Sequence, residues 1–182
     1  MKTTFYMVRH GQPDWGWAET MRFFGPCSAY MPLTPLGVEQ IEHTACDPQL
    51  RGAAFILASP YTRTMQSAQI LSRRLDLPVT VEWDLHEWLY DRDMKGDLPM
   101  PEERFGREDM TRCFFFYMEH DELTGEDNCE TAAVIAERVL ACLRRYDGQA
   151  EKIIVVCHEG VIRSVTGMKA VNLGQVVPVT LE

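Results

Sequence analysis

A chain of 182 residues with 46% apolar and 25% charged side chains has the balance of a single globular domain, long enough to bury roughly 70% of the surface its unfolded chain would expose. Eighteen Lys and Arg against 27 Asp and Glu leave a net charge of −9, the wrong sign for a surface that holds nucleic acid or an anionic membrane. An anionic small molecule would need a pocket that is positive against the global field.

The first element is the apolar, β-prone run Phe5-Tyr6-Met7-Val8, which leads straight into Arg9-His10-Gly11. A buried strand that emerges as Arg-His-Gly places two reactive side chains where open α/β sheets bind ligands. Arginine offers a fork of donors matched to phosphate or carboxylate, histidine is readily poised as base or nucleophile, and Gly11 allows close backbone approach to an anion. Alone, the tripeptide is equally compatible with a surface strand end. The preceding Met1-Lys2-Thr3-Thr4 enters a strand rather than the apolar segment of a signal peptide, and no run approaches about 18 apolar residues, so the expected compartment is the cytoplasm.

Residues 12–33 carry Pro13, Trp15, Gly16, Trp17, Phe23, Phe24, Gly25, Pro26 and Pro32 with neither period, and read as a long functional loop. Arg22 within it is more commonly a solvated side chain than a ligand. Thr34-Pro35 opens a helix, Thr34 as N-cap and Pro35 at its first position, running to about Cys46. Phe55-Ile56-Leu57-Ala58 is a short buried strand, and Ser59-Pro60 caps the next helix, with Met65, Ala68, Ile70, Leu71 and Leu75 facing inward. Arg63 falls in that helix's first turn, where the dipole already favours an anion; by itself it reads more readily as paired with an acid elsewhere than as a ligand.

Val79 to Leu85 alternates as a half-buried strand, putting Val81 and Trp83 on one face and Glu82 and Asp84 on the solvent face. Glu87 lies past its end beside Trp88, where desolvation would raise a carboxyl toward general-acid range, with Glu82, Asp84, Asp91 and Asp93 as competitors. Residues 88–125 read as an insertion or lid, in which Met110 to Met118 is helical and its aromatics are packing. A helix from Asn128 presents Thr131, Ile135, Val139, Cys142, Leu143 and Tyr146, and Asp147-Gly148 ends it. Lys152 to Cys157 is a fully buried strand that delivers His158 into a turn before Gly160, and Val176 to Leu181 is the last strand. Strands alternating with helices make an α/β three-layer α/β/α sandwich over residues 1–182.

The six cysteines show no Cys-x-x-Cys pair and are expected as reduced thiols. His86-Glu87-Trp88-Leu89-Tyr90 has tyrosine where a zinc helix needs its second histidine, so no metal site and no cofactor is expected.

Arg9-His10-Gly11, Arg63 after Ser59-Pro60, Leu85-His86-Glu87, and His158 ahead of Gly160, together with Pro32-Leu33-Thr34-Pro35-Leu36-Gly37 and Asn172-Leu173-Gly174, resemble the histidine phosphatase superfamily in its own order. The resemblance implies a phosphoglycerate-mutase-like fold and a metal-independent phosphomonoester hydrolase acting on a small phosphorylated metabolite. In it His10 forms a phosphohistidine, Arg9, Arg63 and His158 hold the phosphoryl oxygens, Glu87 is the general acid and base, and Arg22, Gly25 and Gln12 line the substrate. Three features depart from the family pattern. Gly16 stands where an asparagine is common, Gln12-Pro13 where an acid and a hydroxyl residue follow Arg-His-Gly, and Cys129-Glu130-Thr131 where Gly-Glu-Ser is common. Mutases of the family carry a longer, more basic insert than residues 88–130, which favours hydrolysis. A phosphoglycerate-type mutase and a non-catalytic phospholigand-binding module are the alternatives.

Overall fold

The computed structural model describes residues 1–21, 25–89, 119 and 129–182. The expected lid, the Met110–Met118 helix, Asn128 and Arg22 therefore lie outside the described residues, apart from the 88–89 end of the lid and residue 119. Five strands form one mixed sheet in the order β3-β2-β4-β1-β5: β1 Thr4–Arg9, β2 Ile56–Ala58, β3 Val79–Val81, β4 Lys152–Cys157 and β5 Val176–Thr180. β1, β2, β3 and β4 run parallel, and β5 is antiparallel to β1 at the edge, where Pro178 can sit without a ladder donor.

Alternation along the central strands sorts side chains to two faces. Phe5, Met7, Leu57, Ile153, Val155 and Cys157 pack on one side with Ile135, Val139, Cys142 and Leu143 of helix α4 and Val161 and Ile162 of α5. Val8, Ile56, Ala58, Ile154 and Val156 pack on the other with Ile41 of α2 and Ala68, Ile70 and Leu71 of α3. These helices are α2 Pro35–Thr44, α3 Thr62–Leu75, α4 Ala132–Arg144 and α5 Glu159–Thr166, so the expected three-layer sandwich is present. Cys129, Cys142 and Cys157 are buried and Cys46 is exposed, with no disulfide among these four.

Several local expectations are corrected. The stretch after β1 is not an aperiodic loop: it holds a short helix α1, Trp15–Met21, and a 3₁₀ turn, Gly25–Tyr30. The start signal was Asp14, whose carboxylate accepts the Trp17 N–H at 2.9 Å. The strand from Val79 ends at Val81 and a 3₁₀ turn, Trp83–Leu85, follows, which breaks the alternation. Val81 and Trp83 become the exposed residues, 51% and 52%, while Glu82 and Asp84 both pair with Arg145 at 2.6 and 3.1 Å. Ser59 does not cap α3, whose N-cap is Tyr61 without a side-chain bond; Thr131 caps α4, which begins at Ala132, after Glu130.

The loop beyond β1 lies directly on the start of α2. A Cβ added to Gly11 would stand 2.2 Å from the Gly37 carbonyl oxygen, and one added to Gly37 would stand 2.4 Å from the Gln12 carbonyl oxygen. Within a helix a change from Gly to Ala ordinarily stabilises by about 1 kcal/mol. Gly37→Ala is nevertheless expected to destabilise by about 1–3 kcal/mol, because backbone must move to admit the methyl. A urea midpoint that is unchanged or raised would show that the loop after β1 is free to shift.

Candidate active site

Strand register builds this site before any side chain is considered. Arg9 pairs with Cys157 across β1 and β4, so His10 and His158 leave adjacent parallel strands side by side, with ring centroids 5.2 Å apart. β2 pairs with β4 one step earlier, Ala58 with Val156, which brings Ser59 to the same level. α3 starts there, and Arg63 from its first turn lies between the two imidazoles. Its Nε donates to His10 Nε2 at 3.2 Å, one terminal nitrogen to His158 Nδ1 at 3.3 Å, and the other to the Ser28 carbonyl at 2.9 Å.

These bonds assign the tautomers. His10 Nδ1 is 2.7 Å from the Gly11 carbonyl oxygen, which can only accept, so Nδ1 carries the proton and the Nε2 lone pair faces the guanidinium. Arg63 can only donate, so His158 Nδ1 accepts and its Nε2–H points to Ser59 Oγ at 2.8 Å. Burial, and after it the Arg63 charge, hold both imidazoles well below the usual histidine range. His10 is thus a neutral imidazole with its reactive lone pair aimed at the strongest local cation. Tyr61 closes one side: its ring meets His158 edge-on at 5.0 Å and lies 5.0 Å from the Arg63 guanidinium carbon.

Glu87 sits between the 3₁₀ turn and α5. One carboxylate oxygen accepts the Trp88 N–H at 3.0 Å and the other the Gly160 N–H at 3.4 Å, in the first turn of α5, two residues from His158. Burial raises its carboxyl above the ordinary range, opposed by the two backbone donors and by the Arg63 charge. Arg9 donates to the Val171 carbonyl and pairs with Glu159 at 2.9 Å, and its Nε is buried without a partner among the described residues.

The structure thus brings His10, Arg63, His158 and Glu87 together around one end of the sheet, with Arg9 at the same strand end. It places Gln12 differently: its carboxamide oxygen accepts the Thr34 hydroxyl at 2.9 Å, tying the loop to the cap of α2. Gly25 opens the turn whose Ser28 carbonyl takes Arg63. Reading the sequence missed Ser59, Tyr61 and Ser28 as neighbours of the site, because each reaches it only through strand register or loop path. It noted Glu130 without a role and overlooked Arg138, which donates twice to the Glu130 carboxylate at 2.7 and 3.0 Å.

Burying neutral imidazoles has a consequence for stability. His10, His86 and His158 all have folded-state values below 6.5, so below about pH 6.5 the unfolded chain binds protons that the folded chain does not. Stability is therefore expected to be level above that pH and to fall as pH drops below it, by up to about 1.4 kcal/mol per pH unit for each such histidine. Glu87, raised by burial, opposes this only near and above pH 4.5. Urea midpoints that stay constant from pH 7 to pH 5 would show that these imidazoles titrate normally.

An α/β sandwich that gathers two histidines and an arginine at the carboxyl ends of parallel strands has them where such sheets bind ligands. The profile of the histidine phosphatase superfamily (branch 1) matches residues 5–172, and the chain belongs to that family. A Proteus mirabilis protein named as a probable phosphoglycerate mutase, GpmB, is 33% identical over 82 residues, 45% of this chain, and that match spans only 36% of the relative's length. Among solved structures, mycobacterial glucosyl-3-phosphoglycerate phosphatase superposes with a TM-score of 0.71 at 17% identity, covering 98% of this chain and 90% of that one. An Escherichia coli K-12 protein provisionally assigned as an α-ribazole-5′-P phosphatase superposes with a TM-score of 0.67 at 21% identity, covering 100% and 92%. At these identities the superpositions show the shared fold. No described helix is long and apolar enough to cross a membrane.

Proposed function

We propose that this protein is a phosphomonoester hydrolase for a small phosphorylated metabolite, working through a phosphohistidine. The observation that carries the reading is the His10 tautomer: a neutral imidazole with Nδ1–H on the Gly11 carbonyl and a lone pair on Nε2 facing Arg63. In the first step Nε2 forms a bond to phosphorus while the ester P–O bond breaks, and Glu87 gives its proton to the departing alkoxide oxygen. In the second, Glu87 takes a proton from water as the water oxygen bonds to phosphorus and the P–Nε2 bond breaks, returning His10 neutral and Glu87 protonated. Charge on the equatorial oxygens is met by Arg63 and Arg9, while the neutral His158 imidazole holds the Arg63 guanidinium through Nδ1. Arg9 reaches that role by exchanging its Glu159 partner for a phosphoryl oxygen.

Phosphate release from a generic phosphoester separates an enzyme from a binding module that uses the same pocket. The group facing His10 Nε2 is the Arg63 guanidinium, which repels a metal cation and attracts a trigonal-bipyramidal anion. Vanadate is therefore expected to inhibit at micromolar concentration, and EDTA to leave the rate unchanged. Loss of activity in EDTA, restored by a divalent ion, would move the protein to a different phosphatase mechanism. The partial match to a probable phosphoglycerate mutase favours one further assay, 3-phosphoglycerate with a bisphosphoglycerate primer, in which formation of 2-phosphoglycerate would establish mutase action.

A further inference from the structure

Glu87 stands on an irregular segment, past the 3₁₀ turn and short of any helix, although a general acid must hold its proton within about 3 Å of the leaving oxygen. The backbone on both sides of it is gripped by one buried ion pair. Arg138 of α4 donates to the Asp84 carbonyl at 2.6 Å and to the His86 carbonyl at 3.0 Å, while its Nε and one terminal nitrogen hold the Glu130 carboxylate. Glu130 in turn accepts the Leu89 N–H on that carboxylate at 3.0 Å and the Trp88 indole N–H on its backbone oxygen at 2.7 Å, and its own N–H donates to the Leu89 carbonyl at 2.9 Å. The side chains are 3% and 14% exposed, and none of these bonds reaches Glu87.

A buried ion pair is poor evidence of stabilisation, since an apolar pair of similar volume is often as stable. This pair is distinguished by geometry: it fixes residues 84, 86, 88 and 89, leaving Glu87 as the residue they frame. We propose that Glu130 and Arg138 are positioning residues that hold Glu87 at the leaving-group oxygen. The proposal rests on the reading of Glu87 as the general acid. Displacement of a reacting group by about 1 Å can cost on the order of 10²-fold in rate. Loosening the clamp should therefore cost rate only where the leaving group needs the proton.

The test measures kcat and KM on glycerol 2-phosphate and on p-nitrophenyl phosphate for Arg138→Met, Glu130→Gln and the Glu130→Gln/Arg138→Met pair, each with and without Glu87→Gln. The expected result is a loss of about 10–100-fold in kcat on glycerol 2-phosphate and under about 3-fold on p-nitrophenyl phosphate, with KM unchanged. Added to Glu87→Gln, the same changes should cost nothing further. If Arg138→Met or Glu130→Gln does not fold because each strands the charge of its partner, the paired variant, which strands none, decides the matter. Equal losses on both substrates, or losses that add to that of Glu87→Gln, would overturn the positioning role while leaving Glu87 as the acid. Equal losses on both substrates for Glu87→Gln alone would instead overturn the acid assignment on which the clamp depends.

Discussion

His10→Ala is expected to lower turnover by about 10⁴-fold or more, while binding of inorganic phosphate changes by less than about tenfold. The asymmetry follows from what remains. Arg63 is held by the Ser28 carbonyl and His158 Nδ1 as well as by His10, so removing one imidazole leaves the cation in place to receive an anion. What is lost is the lone pair that bonds to phosphorus, and no neighbour can replace it. His158 Nδ1 is turned to a different nitrogen of Arg63 and its Nε2–H to Ser59, so neither of its nitrogens stands where His10 Nε2 stood. Among the described residues Ser59 Oγ, fully buried, bonds to His158 and to no carboxylate that could draw off its proton. Wild-type protein denatured during turnover without acid should carry phosphate on His10 that is released by acid, and His10→Ala should carry none. Retention of near-wild-type turnover by His10→Ala would end the phosphohistidine reading.

Much of the frame was legible because its signals are local. The Lys152–Cys157 run, buried on both faces, and the Thr34-Pro35 cap depend on residues next to one another, and each formed as expected. So did the placing of Arg63 in the first turn of α3. Elements that failed did so where a local signal met a tertiary one. Val79 to Leu85 alternates well enough for a seven-residue strand, yet β2 offers only three residues to pair with, and beyond Val81 the chain turns to meet Arg145 and Arg138. The site was legible as a set of residue types at strand ends and not as a geometry. Nothing in the sequence says that Gln12 is spent on Thr34, that Arg63 sets the His158 tautomer, or that Arg138, more than 50 positions from Asp84, holds its carbonyl.

Glu87→Gln is expected to cost on the order of 10²–10⁴ in kcat on an alkyl phosphate and far less on p-nitrophenyl phosphate, whose leaving phenolate needs little protonation. Position supports the choice of Glu87 over its neighbours. Glu82 and Asp84 are tied to Arg145, and Glu82 also accepts from the Tyr146 hydroxyl, whereas Glu87 faces the first turn of α5 beside His158. Glu82→Gln and Asp84→Asn should accordingly cost little on either substrate. The pH dependence carries the sign. His10 must be neutral to attack, and burial holds its pKa well below 6.5, so the acid limb of kcat/KM should lie well below that value. Glu87 must be protonated to donate, and burial raises its carboxyl above 4.5, so activity on the alkyl phosphate should fall as pH rises through that raised value. In Glu87→Gln the alkaline fall should vanish and the acid limb should stay, because only the donor has been removed. Persistence of the alkaline limb in Glu87→Gln, or a leaving-group-dependent loss in Glu82→Gln or Asp84→Asn, would place the proton on another group.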